Sequence, residues 1–237
     1  MAHTVSPIRI TYKFEFEAAE EKQFDILLDG VTLKVLQSPM PSYPEWTKLA
    51  YNKCENCPLP NTVEFCPVAQ NISHLVNEFK FLTSFDKTQV TVTTVERTYS
   101  VETTIQNGLS AILGIYMVTS DCPVLDHLRP MVRFHLPFAS TLETIFRAVS
   151  MYLIAQYLRM HKGLSADWNL ERLEEIYKEV SKVNKGMWNR LSQASSFDAN
   201  VNALIVLNTF GDALRFSLKR DLEALAPLFS KYLEEKK

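Results

Sequence analysis

The sequence predicts an α+β fold: an N-terminal antiparallel β-sheet of about five strands packed with a C-terminal layer of long α-helices. Three observations carry this. Residues 8 to 35 alternate apolar and polar side chains with period two. Beyond Pro137 the apolar residues recur at helical spacing instead. Hydrophobic and charged contents of 46% and 22% are those of an ordinary globular chain, and 237 residues suffice for a sizeable core. We read residues 1–237 as a single domain, with 1–105 the β-rich part carrying a cysteine loop and 106–237 the helical part.

Residues 8 to 17 place Ile8, Ile10, Tyr12, Phe14 and Phe16 on one face and charged or threonine side chains on the other, which defines a half-buried strand. Phe24, Ile26 and Leu28 repeat the pattern. Asp29-Gly30 is a hairpin turn signal, beyond which Val31, Leu33 and Val35 predict a further strand. From Ser38 to Asn61 the alternation stops and Pro39, Pro41, Pro44, Pro58 and Pro60 interrupt any regular element, with Trp46 and Leu49 as anchors. So long a loop in a compact domain needs something to hold it.

After Pro67, Val68, Ile72, Leu75, Val76, Phe79 and Leu82 form a helical stripe, and two strands rich in Thr, Val and Tyr follow at 88–95 and 97–101. Ile105, Leu109, Ile112, Tyr116 and Met117 mark the next helix, in which Gly108 and Gly114 predict close backbone approach to a neighbour. Ser140 and Glu143 form a capping box, and the helix they open runs to Gly163. Its apolar residues occupy almost every face, which predicts the buried centre of its layer. Asp167 and Asp198 are expected to cap two later helices, the second with Leu204, Leu207, Phe210 and Leu214 facing inward, and Pro227 to break the last segment. A short charged tail closes the chain at 234–237.

The four cysteines carry the chemistry. Cys54 and Cys57 form a C-x2-C pair, Cys66 follows, and Cys122 stands beyond 55 intervening residues, 67 to 121. Together they can close around a metal. Cys66-Pro67 and Cys122-Pro123 read as an N-cap followed by the first helical residue, which puts both sulfurs at positive helix ends that favour thiolate. Zinc with four cysteines is the common closed structural site. The wide split of the second pair and the repeated Cys-Pro step leave a [4Fe-4S] cluster as the alternative. Without a metal, Cys66 and Cys122 are small buried hydrophobes. His74 and His127, near Cys66 and Cys122 in sequence, are weaker candidates for a ligand or for a donor behind the ligands. A thioredoxin-like role is disfavoured because Pro58 and Pro60 prevent a helix after the pair.

Between Pro130 and Pro137 the chain mixes Arg, His and aromatic residues. Arg129, Arg133 and His135 could bind a small carboxylate or phosphate. The preferred alternative is a connector whose arginines pair with Asp121, Asp126 or Glu143.

Several classes are excluded or disfavoured. A net charge of -2 and a pI near 6.2 make nucleic acid an unlikely partner. No stretch reaches the roughly 18–20 apolar residues of a membrane span, and the N-terminus lacks the basic and apolar regions of a secretory signal. A cytoplasmic location is expected, where thiols stay reduced. No Gly-rich phosphate loop, dinucleotide fingerprint, nucleophile elbow or H-E-x-x-H pattern occurs, so no catalytic residue can be named.

Cys54-Glu-Asn-Cys-Pro-Leu59, Cys66-Pro-Val-Ala69, Glu96-Arg-Thr-Tyr-Ser100, Gly108-Leu109, and the run from Asp121-Cys-Pro to Arg129-Pro-Met131 and Arg133 through Ser140 together resemble a bacterial family of unknown function. The resemblance covers nearly the whole chain and implies that the four cysteines act as one group. It implies nothing about substrate. The expected role is a binding or regulatory protein with a structural metal. The alternatives are an iron-sulfur or redox protein acting on a small anion, and a metal-free scaffold that forms a homo-oligomer through its C-terminal helices.

Overall fold

Alternation in the first strand sets the architecture. In the computed structural model, which describes residues 6–16, 20–36, 40–194, 198–216 and 218–234, strand β1 (Ile8–Phe16) buries Ile10, Tyr12 and Phe14 while Arg9 and Glu15 face solvent. It is central in a four-stranded antiparallel sheet of order β2-β1-β3-β4, with β2 Glu21–Leu28, β3 Lys87–Thr93 and β4 Thr98–Thr104. Register places Tyr12 opposite Phe24 on one side and Val92 on the other. The inner face is therefore aromatic and β-branched. The outer face carries a hydroxyl-rich ladder in which Gln89 Nε2 donates to Ser100 Oγ at 2.7 Å and Thr91 and Ser100 hydroxyls meet at 3.0 Å.

The sheet has four strands rather than about five. Val31, Leu33 and Val35 do not form a strand: only Val35 makes an isolated bridge, to Leu28. The Asp29 carboxylate accepts from the Val31 and Thr32 amides at 3.0 and 2.6 Å, and Leu33 adopts a left-handed φ of 58°. A side chain that satisfies its own turn amides competes with ladder pairing, and here it wins. The expectations for Glu17, Ser38 and Pro39, for the side chains of Phe210 and Leu214, and for tail residues 235–237 lie outside the described residues.

Helix α1 (Pro67–Glu78) and helix α2 (Ile105–Val118) cover the inner face. Beyond α2 lies α6 (Ala199–Phe216), which packs on α5 (Glu171–Ala194), while the short α3 (Pro130–Arg133) leads into α4 (Thr141–His161). The short α7 (Leu218–Glu223) and α8 (Ser230–Leu233) flank a 3-10 turn at Ala226–Phe229, where Pro227 interrupts the chain. Buried apolar residues from Ile10 to Leu218 form one continuous cluster.

The buried centre is α2, not α4 as the apolar count suggested. Residues Ile105, Leu109, Ile112, Leu113 and Ile115 of α2 are inaccessible, whereas on α4 Phe146, Ile154 and Leu158 are about half exposed. Glycine explains the difference. A Cβ on Gly108 would lie 2.7 Å from Val90 Cγ2 and 2.9 Å from Phe14 Cε1, so α2 sits against the sheet closer than any side chain permits. Gly114 faces α6, where a Cβ would meet Leu207 Cδ1 at an ordinary 3.5 Å. Helix α4 is nonetheless entered as expected: Ser140 Oγ accepts from the Glu143 amide at 3.3 Å and Glu143 Oε2 accepts from the Ser140 amide at 2.8 Å.

The two glycines are expected to respond in opposite directions. Gly108→Ala should cost about 1–3 kcal/mol through overpacking, whereas Gly114→Ala should gain about 0.5–1 kcal/mol of helix propensity. Urea midpoints at unchanged slope measure both; equal shifts would contradict the close-approach account.

Candidate functional site

The proline-interrupted loop is closed at its base by backbone pairing. Leu49 N donates to Glu64 O at 2.8 Å, Cys66 N to Thr47 O at 2.8 Å, and Lys48 bridges Phe65. Within it Lys53 Nζ donates to Leu59 O at 2.7 Å and to Asn61 Oδ1 at 2.9 Å. Cys57 N donates to Cys54 O at 3.1 Å, which turns both cysteines of the pair in one tight bend. Leu49 is the buried anchor and Trp46 packs at the edge of the core.

Helix α5 is the wall on which the loop rests. A Cβ on Gly186 would lie 2.5 Å from Cys54 Sγ, so glycine is what lets the sulfur reach the helix. Asn56 Nδ2 donates to Glu179 O at 3.0 Å and to its carboxylate at 2.9 Å, and Asn52 Nδ2 to Gln193 Oε1 at 2.9 Å. Arg190, fully buried, donates from Nη1 to the carbonyls of Trp46 and Lys48, the latter at 2.7 Å, and lies 5.8 Å from the Tyr51 ring. No carboxylate pairs with it among the described residues. Its Nε and, at the Glu179 end of the contact, Asn56 Oδ1 are buried polar atoms without a partner among the described residues.

The fold brings the four cysteines into one electrostatic neighbourhood. Burial pushes the Cys54 thiol up to about 12, and negative charge on Cys66, Cys57 or Cys122 adds to the rise while Arg190 opposes it. Burial also raises Cys122, against amide hydrogen bonds from Leu125 and Val124. The expectation that a helix end would lower the thiol pKa thus fails for Cys122, where burial outweighs the amides. Conversely, burial lowers the Arg190 pKa and the thiols beside it raise it.

Cys66 caps α1 with Pro67 at its first position, as expected, although its side chain accepts no bond from that helix. Cys122 precedes only a 3-10 turn, Leu125–Leu128. Cys66 and Cys122 are buried, Cys54 and Cys57 half-buried, and all four are free thiols. Among the described residues no three His, Cys, Asp or Glu side chains are grouped so as to hold a metal ion. The four thiols nonetheless act on one another electrostatically, and Cys66, Cys54 and Cys57 act on Arg190 of α5.

The histidines stand elsewhere. His74 is exposed and packs edge-on to Phe24 at 6.0 Å between ring centres, and His127 is exposed with Nδ1 3.4 Å from Val124 O. Arg129, Arg133 and His135 do not converge either. Arg129 donates to Ser120 O at 2.8 Å and pairs with Asp126 at 3.0 Å, while Arg133 faces Glu96 at 3.9 Å. His135 turns inward to the Tyr12 hydroxyl at 2.5 Å, where burial, and then the charge of Arg147, lower its pKa to about 3.

Sequence reasoning missed Gly186 and Arg190. Both interrupt the inward stripe of α5, which runs through Tyr177, Val180, Val183, Met187 and Leu191. An arginine on such a stripe and a glycine beside it signal a partner that is not aliphatic.

A mixed fold with a cysteine loop held on a helix by buried polar contacts defines the class of protein. The chain belongs to the family described as Domain of unknown function (DUF6901), whose match spans residues 10–230. No curated protein and no solved structure matches it. Among the described residues no helix is long and apolar enough to cross a membrane.

Two outcomes follow from these contacts. Arg190→Met should destabilise the protein by about 2–4 kcal/mol, since it strands two buried carbonyls, and should open 47–66 to limited proteolysis; a loop that stays resistant contradicts the anchoring role. His135 sets the sign of a pH effect. An unfolded histidine takes its proton near 6.5 and the folded one only near 3, so the unfolded state binds more protons between them and stability falls as pH drops through that window. Denaturation between pH 6.5 and 5 should show a shallower dependence in His135→Gln.

Proposed function

We propose that this is a non-catalytic binding or regulatory protein of a reducing, cytoplasmic compartment, with a loop fastened by a structural metal on Cys54, Cys57, Cys66 and Cys122. The observation that carries the reading is Arg190: an inaccessible guanidinium with an orphaned Nε, no carboxylate partner among the described residues, and as neighbours thiols that would become anionic on binding a metal. Four thiolates on a divalent ion are doubly negative, and a buried cation offsets part of that charge. Gly186 supports the reading too, since any Cβ there would fill the space that Cys54 Sγ occupies. The donor set is purely sulfur and suits zinc. The metal would tie the loop to α1 and to the turn after Cys122, and its binding energy would add directly to folding.

One observation favours a second reading, an iron-sulfur cluster. Among the described residues no three thiols gather at single-ion spacing, yet all four remain in electrostatic reach of one another, and a cubane holds its ligands farther apart than one ion does. The two readings share the same cysteines and differ in colour.

Protein purified without oxygen should carry zinc or iron by elemental analysis, and chelation or Cys57→Ser should lower the melting temperature sharply. Visible sulfur-to-iron absorption selects the cluster over zinc. Metal-free protein that melts at the same temperature as the protein first isolated would reject both.

A further inference from the structure

A second site lies away from the cysteines. A cavity of about 490 Å³ opens between β4, α2 and the start of α4, with α5 and α6 behind it. Its size is that of small-molecule pockets, which run from about 300 to 1,000 Å³. Ile115, Leu128, Val132, Val180, Val206 and Leu207 make most of its wall apolar. At its mouth Asn107 is exposed and Thr103, Ala139 and Thr144 are half-buried.

One cation stands in that wall. Arg147 donates from Nη2 to the carbonyls of Met131 and Phe134, at 3.1 and 3.0 Å. No carboxylate lies within ion-pair distance of it among the described residues. Glu143, whose charge reaches it, is held by the Ser140 amide and hydroxyl, each at 2.8 Å. A guanidinium has five N–H donors, so three remain beyond the Nη2 pair. The other polar groups around it are neutral. The buried Tyr177 hydroxyl has only the Met131 thioether, at 3.7 Å, and a thioether is a poor acceptor. Tyr12 and His135 satisfy each other.

We propose that this cavity binds a small monocarboxylic acid with an apolar body, its carboxylate taken by the Arg147 guanidinium and the Tyr177 hydroxyl. One cation among neutral groups matches one negative charge; a dianion such as phosphate would leave half its charge uncompensated in an apolar wall. A neutral ligand would leave the guanidinium unpaired. The walls supply the affinity for the apolar body and the two polar groups fix its orientation.

The test is calorimetric titration of the full-length protein with octanoate, and with octanamide as the neutral probe of the same shape. Octanoate should bind saturably and octanamide about 10-fold more weakly or worse, the scale of one lost charge-assisted pair. Arg147→Met should weaken octanoate by about the same factor; Tyr177→Phe should weaken it several-fold, with melting unchanged. If Arg147→Met does not fold, Arg147→Lys replaces it, with a several-fold loss expected from the missing fork. Ala111→Leu narrows this cavity without touching the neighbouring groove between α4 and α5, which Arg147 also borders, and should abolish binding. No saturable octanoate binding, equal affinity for octanamide, unaffected Arg147 and Tyr177 variants, or binding that survives Ala111→Leu overturns the proposal. None of these variants touches the cysteine loop, so the result is independent of the metal centre.

Discussion

The contact between Arg190 and the backbone of the cysteine loop is the constraint from which the rest of the site follows. The guanidinium is inaccessible and spends two of its donors on the Trp46 and Lys48 carbonyls, at the base of the loop. Those carbonyls border the pairing that delivers Cys66 to the start of α1. Removing a charge from water costs several kcal/mol, more than two neutral acceptors return, so the arginine needs further compensation. Deprotonated on a metal, Cys66, Cys54 and Cys57 would supply it. Loop geometry, helix placement and the chemistry of the cysteines are thus one problem, solved on the face of α5.

The sheet and the helix boundaries were legible because their signals are local. Period-two alternation in β1, the Ser140–Glu143 box and Gly108 each act through neighbours in sequence or through one nearby surface. The fifth strand was lost to an equally local competitor, since Asp29 binds the amides of Val31 and Thr32 before they can join a ladder. What could not be read was the order of layers. Apolar residues around α4 suggested burial, but the burial of α2 rests on small residues that bring it against Val90 and Phe14, a property of shape rather than of hydrophobic count.

The site was legible only in part, for the same reason. Grouping Cys122 with three cysteines some 55 or more residues away relied on residue type and the repeated Cys-Pro step, and the fold does bring them into one neighbourhood. Their wall was invisible, because nothing in the loop sequence says which helix it will rest on. The segment around Arg129 and Arg133 drew attention through composition, yet those arginines are answered by Asp126 and Glu96.

Arg147 and Arg190 differ from that pair in one physical respect. Each sits on a helix face that the chain otherwise fills with apolar side chains, each donates mainly to backbone carbonyls, and neither has a carboxylate partner among the described residues. Arg190 is inaccessible and Arg147 is partly buried. Burial depresses the pKa of both. A leucine or methionine of similar volume would avoid that desolvation at either position but would strand the carbonyls the arginine serves. Negative charge from metal-bound thiolates at one site and from a bound anion at the other would offset that penalty, which is why the two proposals rest on these cations rather than on the arginines of the proline-flanked segment.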